Sequence, residues 1–234
     1  MLHCSSVGAQ SFILTTLFAV ATSGATINSC LSSANLNPVF SSSSAYAADT
    51  LSYNRRLVYK PVAVVYPSTV QEVAKAVECA SKAGTKVVAR SGGHSYAANG
   101  IGGQDGSLVV DLKNINSIQV SPNNQTAVFG TGIRLGDLAL ALYNGGNQAI
   151  AHGAYISWKW GVLTDMCPIG TCPYIGTGGH LGCGGFGFPS RMWGLALDAV
   201  ISSRVVLANG TIVTASNNQN QDLFFVRNFD YCTN

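Results

Sequence analysis

Between residues 57 and 90 the spacing of apolar positions switches from that of a strand to that of a helix and back. Ala63 to Tyr66 is a short apolar run closed by Pro67, the mark of a strand. Val70, Val73, Ala74 and Val77 then recur at i, i+3, i+4 and i+7, which places them on one helix face. Ser68 and Gln71 stand in capping-box spacing before that helix, and Gly84 marks its end. Lys86 to Ala89 is again β-type, and Leu108 to Asp111 and Ala127 to Phe129 predict further strands. Leu135, Leu138, Leu142 and Tyr143 line a second helix closed by Gly145 and Gly146. Val200 to Leu207 and Thr211 to Thr214 flank Ala208-Asn209-Gly210, a hairpin signal. Residues 26–50, rich in Ser, Asn and Ala, read as an irregular lead-in, and no internal repeat is visible. Strands mixed with two helices predict an α+β domain.

Composition narrows the class. The chain is 47% apolar and 10% charged, with 26 glycines among 234 residues, which is globular rather than disordered. A net charge of +3 from scattered basic residues argues against a nucleic-acid partner. The apolar run Phe12 to Ala21 is too short to span a bilayer. Followed by Thr22, Ser23, Gly24 and Ala25, it fits a signal peptide over residues 1–25, although no Lys or Arg precedes it. The chain therefore reads as secreted and extracellular, with no membrane partner. Two glycosylation sequons, Asn124-Gln125-Thr126 and Asn209-Gly210-Thr211, are compatible with secretion. Of the seven cysteines, Cys4 would leave with the signal.

Two motifs carry candidate chemistry: R-S-G-G-H-S-Y from Arg90 to Tyr96, and T-C-P-Y-I-G-T-G-G-H from Thr171 to His180. Each sets glycines beside a nucleophile, His94 in one and Cys172 in the other. Glycine backbones approach a phosphate closely and adopt positive φ, while an imidazole or thiolate can bond to an electrophilic ring. Two such loops suggest a flavin held at two points. Taken singly the residues have plainer readings: His94 as a turn residue, Cys172 as a buried thiol, Arg90 as a surface cation and the glycines as turn formers. Val205 and Leu207 fit a core strand as well as a cofactor's adenine end. His152, Cys167, Cys172 and His180 resemble zinc ligands by type, but their spacing matches no compact finger, so no metal is assigned.

These motifs occur in series with G-S-L-V-V-D-L (Gly106 to Leu112), G-T-G-I-R-L-G-D (Gly130 to Asp137), G-G-F-G-F, W-G-L-A-L-D and V-V-L-A-N-G-T-I-V-T-A. In that order, from about Cys30 to about Phe225, they resemble the FAD-linked oxidases of the vanillyl-alcohol oxidase / p-cresol methylhydroxylase superfamily. The similarity is greatest to the berberine-bridge-enzyme-like branch, which includes fungal glucooligosaccharide oxidases. The resemblance implies an FAD-binding domain of the p-cresol methylhydroxylase type over residues 57–225, built of two small α/β subdomains with FAD between them. It implies attachment of His94 to the flavin 8α-methyl and of Cys172 to flavin C6. It makes Arg90, Ser91, Gly92, Gly93 and Ser95 a pyrophosphate cradle, and lets Gly176, Gly178 and Gly179 bring the second loop up to the flavin. It also pairs Cys30 with Cys79 in a disulfide. Its members take hydride from an alcohol or carbohydrate, such as an oligosaccharide, and pass the electrons to molecular oxygen. In relatives the catalytic base and most of the substrate pocket lie in a C-terminal substrate domain that this chain lacks, so no catalytic residue is assigned.

Two segments interrupt the resemblance. Removing residues 154–170 restores an uninterrupted A-H-G-T-C-P-Y-I-G, and residues 226–234 replace the continuation seen in relatives. Both can be back-translated to intron donor, branch-point or acceptor patterns, so both are read as retained-intron sequence. Tyr155, Trp158 and Trp160 consequently carry no sugar-stacking assignment. The competing reading of the chain is a truncated, non-catalytic flavin-binding fragment, or a mis-spliced gene product without activity.

Overall fold

The computed structural model describes residues 23–121, 123, 125–147, 149–150, 172–188 and 190–226. The segment 154–170, the tail from 227 onward, most of the leader and Asn124 lie outside the described residues. In chain order the elements are α1 (Ser23–Ser33), α2 (Tyr46–Asp49), β1 (Ala63–Val65), α3 (Val70–Lys82), β2 (Val87–Arg90), β3 (Leu108–Asp111), β4 (Ile118–Ser121) and β5 (Thr126–Phe129). Then follow α4 (Leu135–Gly146), α5 (Thr177–Gly182), α6 (Ser190–Trp193), β6 (Ser202–Val206), β7 (Ile212–Ser216) and α7 (Gln221–Val226). Among the described residues no helix is long and apolar enough to cross a membrane.

Strands β1, β3 and β2 form a parallel sheet in that order, with Ala63 opposite Leu108 and Val87 opposite Leu108 on the other edge. Parallel strands need a crossover, and α3 supplies the one between β1 and β2. Alternate side chains of the sheet enter different cores. Ala63, Val65, Leu108 and Val110 pack with Ile27 and Leu31 of α1 and with Ala76, Cys79 and Ala80 of α3. Val64 and Val109 face the other way, onto Ala98 and Ile101. Burial on both faces explains why β1 and β3 are written as continuous apolar runs rather than alternating ones.

The lead-in assigned to residues 26–50 is irregular only in part: residues 26–33 belong to α1 and Tyr46–Asp49 is α2, with turns and coil between them. Ile27 and Leu31 are fully buried on α1, and the Cys30–Cys79 disulfide ties that helix to α3 at a Cα separation of 5.6 Å. The Ser- and Asn-rich composition concealed a helix whose order comes from packing and the crosslink. On α3 the buried stripe is Ala76, Cys79 and Ala80, with Val73 partly buried, rather than Val70, Val73, Ala74 and Val77. The helix is covered from two directions. Its Ala74–Glu78 side receives the β6–β7 turn, where a Cβ on Gly210 would stand 3.1 Å from the Ala74 carbonyl. Its cap also sits one residue later than Ser68 and Gln71 imply: Glu72 N–H donates to Thr69 Oγ1 at 3.2 Å, and Ser68 N–H donates to Glu72 Oε2 at 2.8 Å. Glutamate suits that position because its charge also meets the positive end of the helix dipole.

The second half is built of two antiparallel ribbons. β4 pairs β5, with Ile118 opposite Phe129, and α4 covers them through Leu138 and Leu142. Helix α4 runs through Gly145 and Gly146 and is closed by Asn147 at φ 52°, a left-handed cap. β6 pairs β7 in the hairpin foreseen around Asn209, with Ser202 opposite Ser216. A mixed parallel and antiparallel α+β architecture results.

Candidate functional site

β2 ends at Arg90, and the first glycine loop leaves the sheet there. Arg90 is a largely buried anchor, its side chain 11% exposed, not a surface cation. Its Nε donates to Asp111 Oδ2 at 2.5 Å and its Nη1 to the Asp49 carbonyl at 2.6 Å. Asp111 Oδ1 accepts from Lys113 N–H at 2.9 Å, so one carboxylate at the end of β3 orders two outgoing segments. Lys113 in turn lies 3.8 Å from the Tyr66 ring centroid. Burial, together with a hydrogen bond to Asp49, pushes the Tyr66 hydroxyl above its ordinary pKa.

The second glycine loop, residues 172–178, is pinned along the segment that enters α4. Leu135 N–H donates to the Ile175 carbonyl at 2.9 Å, Gly136 N–H to Pro173 at 3.0 Å, and Thr177 N–H to Ile133 at 3.1 Å. Arg134 and Gly176 form an isolated antiparallel bridge within this ladder. The Arg134 side chain adds a bond from Nη1 to the Tyr174 carbonyl at 3.0 Å.

The two glycine loops touch each other. A Cβ on Gly92 would overlap the Gly176 backbone nitrogen, and one on Gly176 would overlap Gly92 N and Ser91 Oγ. These glycines are required first by contact between the loops. Ser91 joins three segments through one hydroxyl: it donates to the Thr131 carbonyl at 2.5 Å and accepts from Gly178 N–H at 3.2 Å. Ser95 Oγ accepts from Asn99 N–H at 3.3 Å and so steadies the 3-10 turn Asn99–Ile101. Both hydroxyls assigned to a pyrophosphate cradle are thus engaged within the protein. Gly93, at φ 73°, makes the turn that presents His94.

His94 is half-buried. Its ring stacks on Tyr53 at 4.7 Å and 29°, and Tyr53 meets Tyr96 edge-on at 5.3 Å. Burial and the Arg134 guanidinium hold the imidazole below its ordinary pKa, against a hydrogen bond to the Tyr174 backbone that favours the protonated ring. The neutral form, with one ring nitrogen carrying a lone pair, is favoured near neutral pH. Cys172 is half-buried and carries a free thiol. It stands four residues before Gly176, as His94 stands two after Gly92, so each nucleophile is close in sequence to the glycine at which its loop meets the other.

A cleft of about 300 Å³ opens beside this junction, lined by Ser91, Gly92, Gly93 and His94 together with Tyr53 and Arg134. That volume is within the range of small-molecule and cofactor sites. The residues fit a flavin nucleotide. Arg134, Arg55 and Lys113 on the walls provide positive charge for a diphosphate. A Cβ on Gly179 would meet nothing within 4 Å, so no neighbour in the chain demands that glycine and the loop surface there is open. Among the described residues no cluster of three or more His, Cys, Asp or Glu could hold a metal ion, and His152 and Cys167 lie outside them. The sequence reading did not single out Arg134, Tyr174, Asp111 or Tyr53. Arg134 and Tyr174 were nevertheless inside quoted motifs, as the only cation of G-T-G-I-R-L-G-D and the residue after Cys172-Pro173.

Comparison with known proteins agrees with this geometry. The FAD binding domain family matches residues 61–162. Xylooligosaccharide oxidase of Thermothelomyces thermophilus is 41% identical over 201 residues, which is 86% of this chain and 37% of that protein. The solved structure of xylooligosaccharide oxidase from Myceliophthora thermophila in complex with xylobiose superposes with a TM-score of 0.77 at 40% identity, covering 87% of this chain and 39% of the other. Glucooligosaccharide oxidase from Acremonium strictum, described with a 6-S-cysteinyl, 8α-N1-histidyl FAD, superposes at 0.76 with 35% identity over 87% of this chain and 39% of its own. The fold, the paired glycine loops and these matches place the chain in the berberine-bridge-enzyme-like branch of the FAD-linked oxidases of the vanillyl-alcohol oxidase / p-cresol methylhydroxylase superfamily, as their FAD-binding part. It spans under two fifths of the length of the curated oligosaccharide oxidases it matches.

Proposed function

We propose that this chain holds FAD across the cleft at the loop junction, with His94 bonded to the flavin 8α carbon and Cys172 to C6. It would serve as the flavin-bearing part of an oxidase for carbohydrates, oligosaccharides above other alcohols. The observation that carries this reading is the contact of the two nucleophile-bearing loops through Gly92, Gly176 and Ser91. A family member described with both linkages and relatives named for oligosaccharide substrates support it. Bound flavin supplies a hydride acceptor at N5 and returns the electrons to dioxygen. His94, kept neutral, presents a ring nitrogen, and Cys172 presents a sulfur that is nucleophilic as its thiolate. In each attachment a protein N–H or S–H bond and a flavin C–H bond, of the 8α-methyl for His94 and of ring carbon C6 for Cys172, would be exchanged for a protein–flavin bond. For each linkage two protons and two electrons leave, and dioxygen takes them up as hydrogen peroxide. No described residue is assigned the substrate base.

The test is acid precipitation of the purified chain followed by flavin fluorescence of the pellet. Retained flavin in the wild type, one linkage in each single variant and none in the His94→Ala, Cys172→Ala double variant is the expected series. Flavin retained by the double variant would overturn the assignment. A second reading, a flavin-binding fragment without turnover, is favoured by the share of the relatives' length that the chain spans. Flavin retention without peroxide release from xylobiose or cello-oligosaccharides would select it.

Secretion belongs to the same proposal. The Cys30–Cys79 disulfide supports it, because such bonds persist in oxidising compartments. Cleavage after Ala25 would leave Ile27, Cys30 and Leu31, the packed residues of α1, in the mature chain. Asn209 is exposed at the β6–β7 turn and accepts Thr211 N–H at its Oδ1, at 2.9 Å. That arrangement leaves the amide nitrogen free of the turn for a glycan. Secretion with an endoglycosidase-sensitive mass that Asn209→Gln removes is the expected outcome in a fungal host.

A further inference from the structure

We propose that Arg134 is a positioning residue for flavin attachment, its guanidinium bridging the His94 loop and the Cys172 loop and setting where the two nucleophiles stand. This inference rests on the attachment chemistry proposed above. The Arg134 backbone belongs to the Cys172 side, through its bridge to Gly176 and the flanking bonds of Leu135 and Gly136. Its side chain then does two things. Nη1 donates to the Tyr174 carbonyl at 3.0 Å, two residues after Cys172, and the same nitrogen lies 2.8 Å from where a Cβ on Gly92 would stand. Only a glycine at 92 admits the guanidinium there. The Tyr174 carbonyl, with two lone pairs, is shared between Arg134 and the His94 ring. A neutral imidazole that donates its one N–H to that carbonyl keeps the other nitrogen unprotonated, which is the form that can attack carbon.

The guanidinium also opposes protonation of His94. Other groups in the cleft are Asp49 from α2, Arg55, Tyr66, Lys113 and the Arg90–Asp111 pair. Arg134 is the charged neighbour that acts on the imidazole. Removing its charge lets the His94 pKa rise, so attachment through the neutral ring would begin only at higher pH.

The experiment uses the whole chain, produced under riboflavin limitation and then incubated with FAD in air from pH 5 to 9. Acid-stable flavin is measured with time, and the His94 and Cys172 adducts are separated by peptide mass. For Arg134→Met we expect attachment slower on the order of tenfold or more, because a small misplacement of reacting groups is costly. The acid limb of its pH profile should move to higher pH. Arg134→Lys keeps the charge and loses the planar fork, so its acid limb should stay in place while the ratio of Cys172 to His94 adduct falls. An Arg134→Met chain with wild-type rate and limb overturns the inference. If that variant does not fold, an Arg134→Lys chain with the wild-type adduct ratio overturns it instead. A wild-type chain that never gains acid-stable flavin overturns the attachment chemistry itself, and this role with it.

Discussion

The parallel sheet and the loop junction beside it are held by different kinds of interaction. β1 and β3 are buried throughout, and their order comes from apolar side chains entering two cores. At the junction the nucleophiles are half-buried, and order comes from a few directional contacts: one serine hydroxyl, one guanidinium and two glycines pressed backbone to backbone. Apolar burial adds over area and tolerates small shifts, whereas a hydrogen bond or a steric stop acts at one place. Changes in the sheet should therefore appear as lost stability, and changes at the junction as lost chemistry with less lost stability.

Where the regions meet, the distinction should fail most visibly. Asp111→Ala leaves the Arg90 guanidinium buried without its counter-charge, and a loss of about 3–5 kcal/mol is expected by urea denaturation, with flavin retention falling too. A chain that kept its stability would show that Arg90 does not couple the sheet to the loop. Within the sheet region, Cys30→Ser with Cys79→Ser should cost about 2–4 kcal/mol while leaving the extent of flavin attachment unchanged below the new melting temperature. At the junction, Gly92→Ala forces a methyl group against Gly176 and should cost about 1–3 kcal/mol, and the main effect should be loss of acid-stable flavin. Equal retention in Gly92→Ala and wild type would mean the loops need not touch. The smallest effect is at the α3 cap: Thr69→Ala should cost about 1 kcal/mol and leave flavin content unchanged.

Strands β1, β2, β3 and β5, both long helices and the β6–β7 hairpin were legible because each is a local pattern of apolar spacing bounded by Pro, Gly or Asn. Helix α1 was not, because its Ser- and Asn-rich sequence has little helical signature and its burial depends on a crosslink 49 residues away. The buried stripe of α3 was misplaced for a related reason. A helix packed on two sides has two apolar faces, and small residues such as Ala76 and Ala80 sit on the closer one. At the site, His94 and Cys172 were recognisable as nucleophiles within glycine motifs. The roles of Ser91, Arg134 and Asp111 were not, since their partners are 40, 40 and 21 residues away in sequence.

By itself the sequence determined the periodicities, the turn chemistry and the supply of nucleophiles, because these depend on neighbours within a few residues. Tertiary structure alone decided that the two glycine loops lie against each other, that Arg90 is paired with Asp111, and that Arg134 and the His94 ring share the Tyr174 carbonyl. Those outcomes depend on which surfaces three separate sheets and ribbons leave free to meet, and no local pattern encodes that.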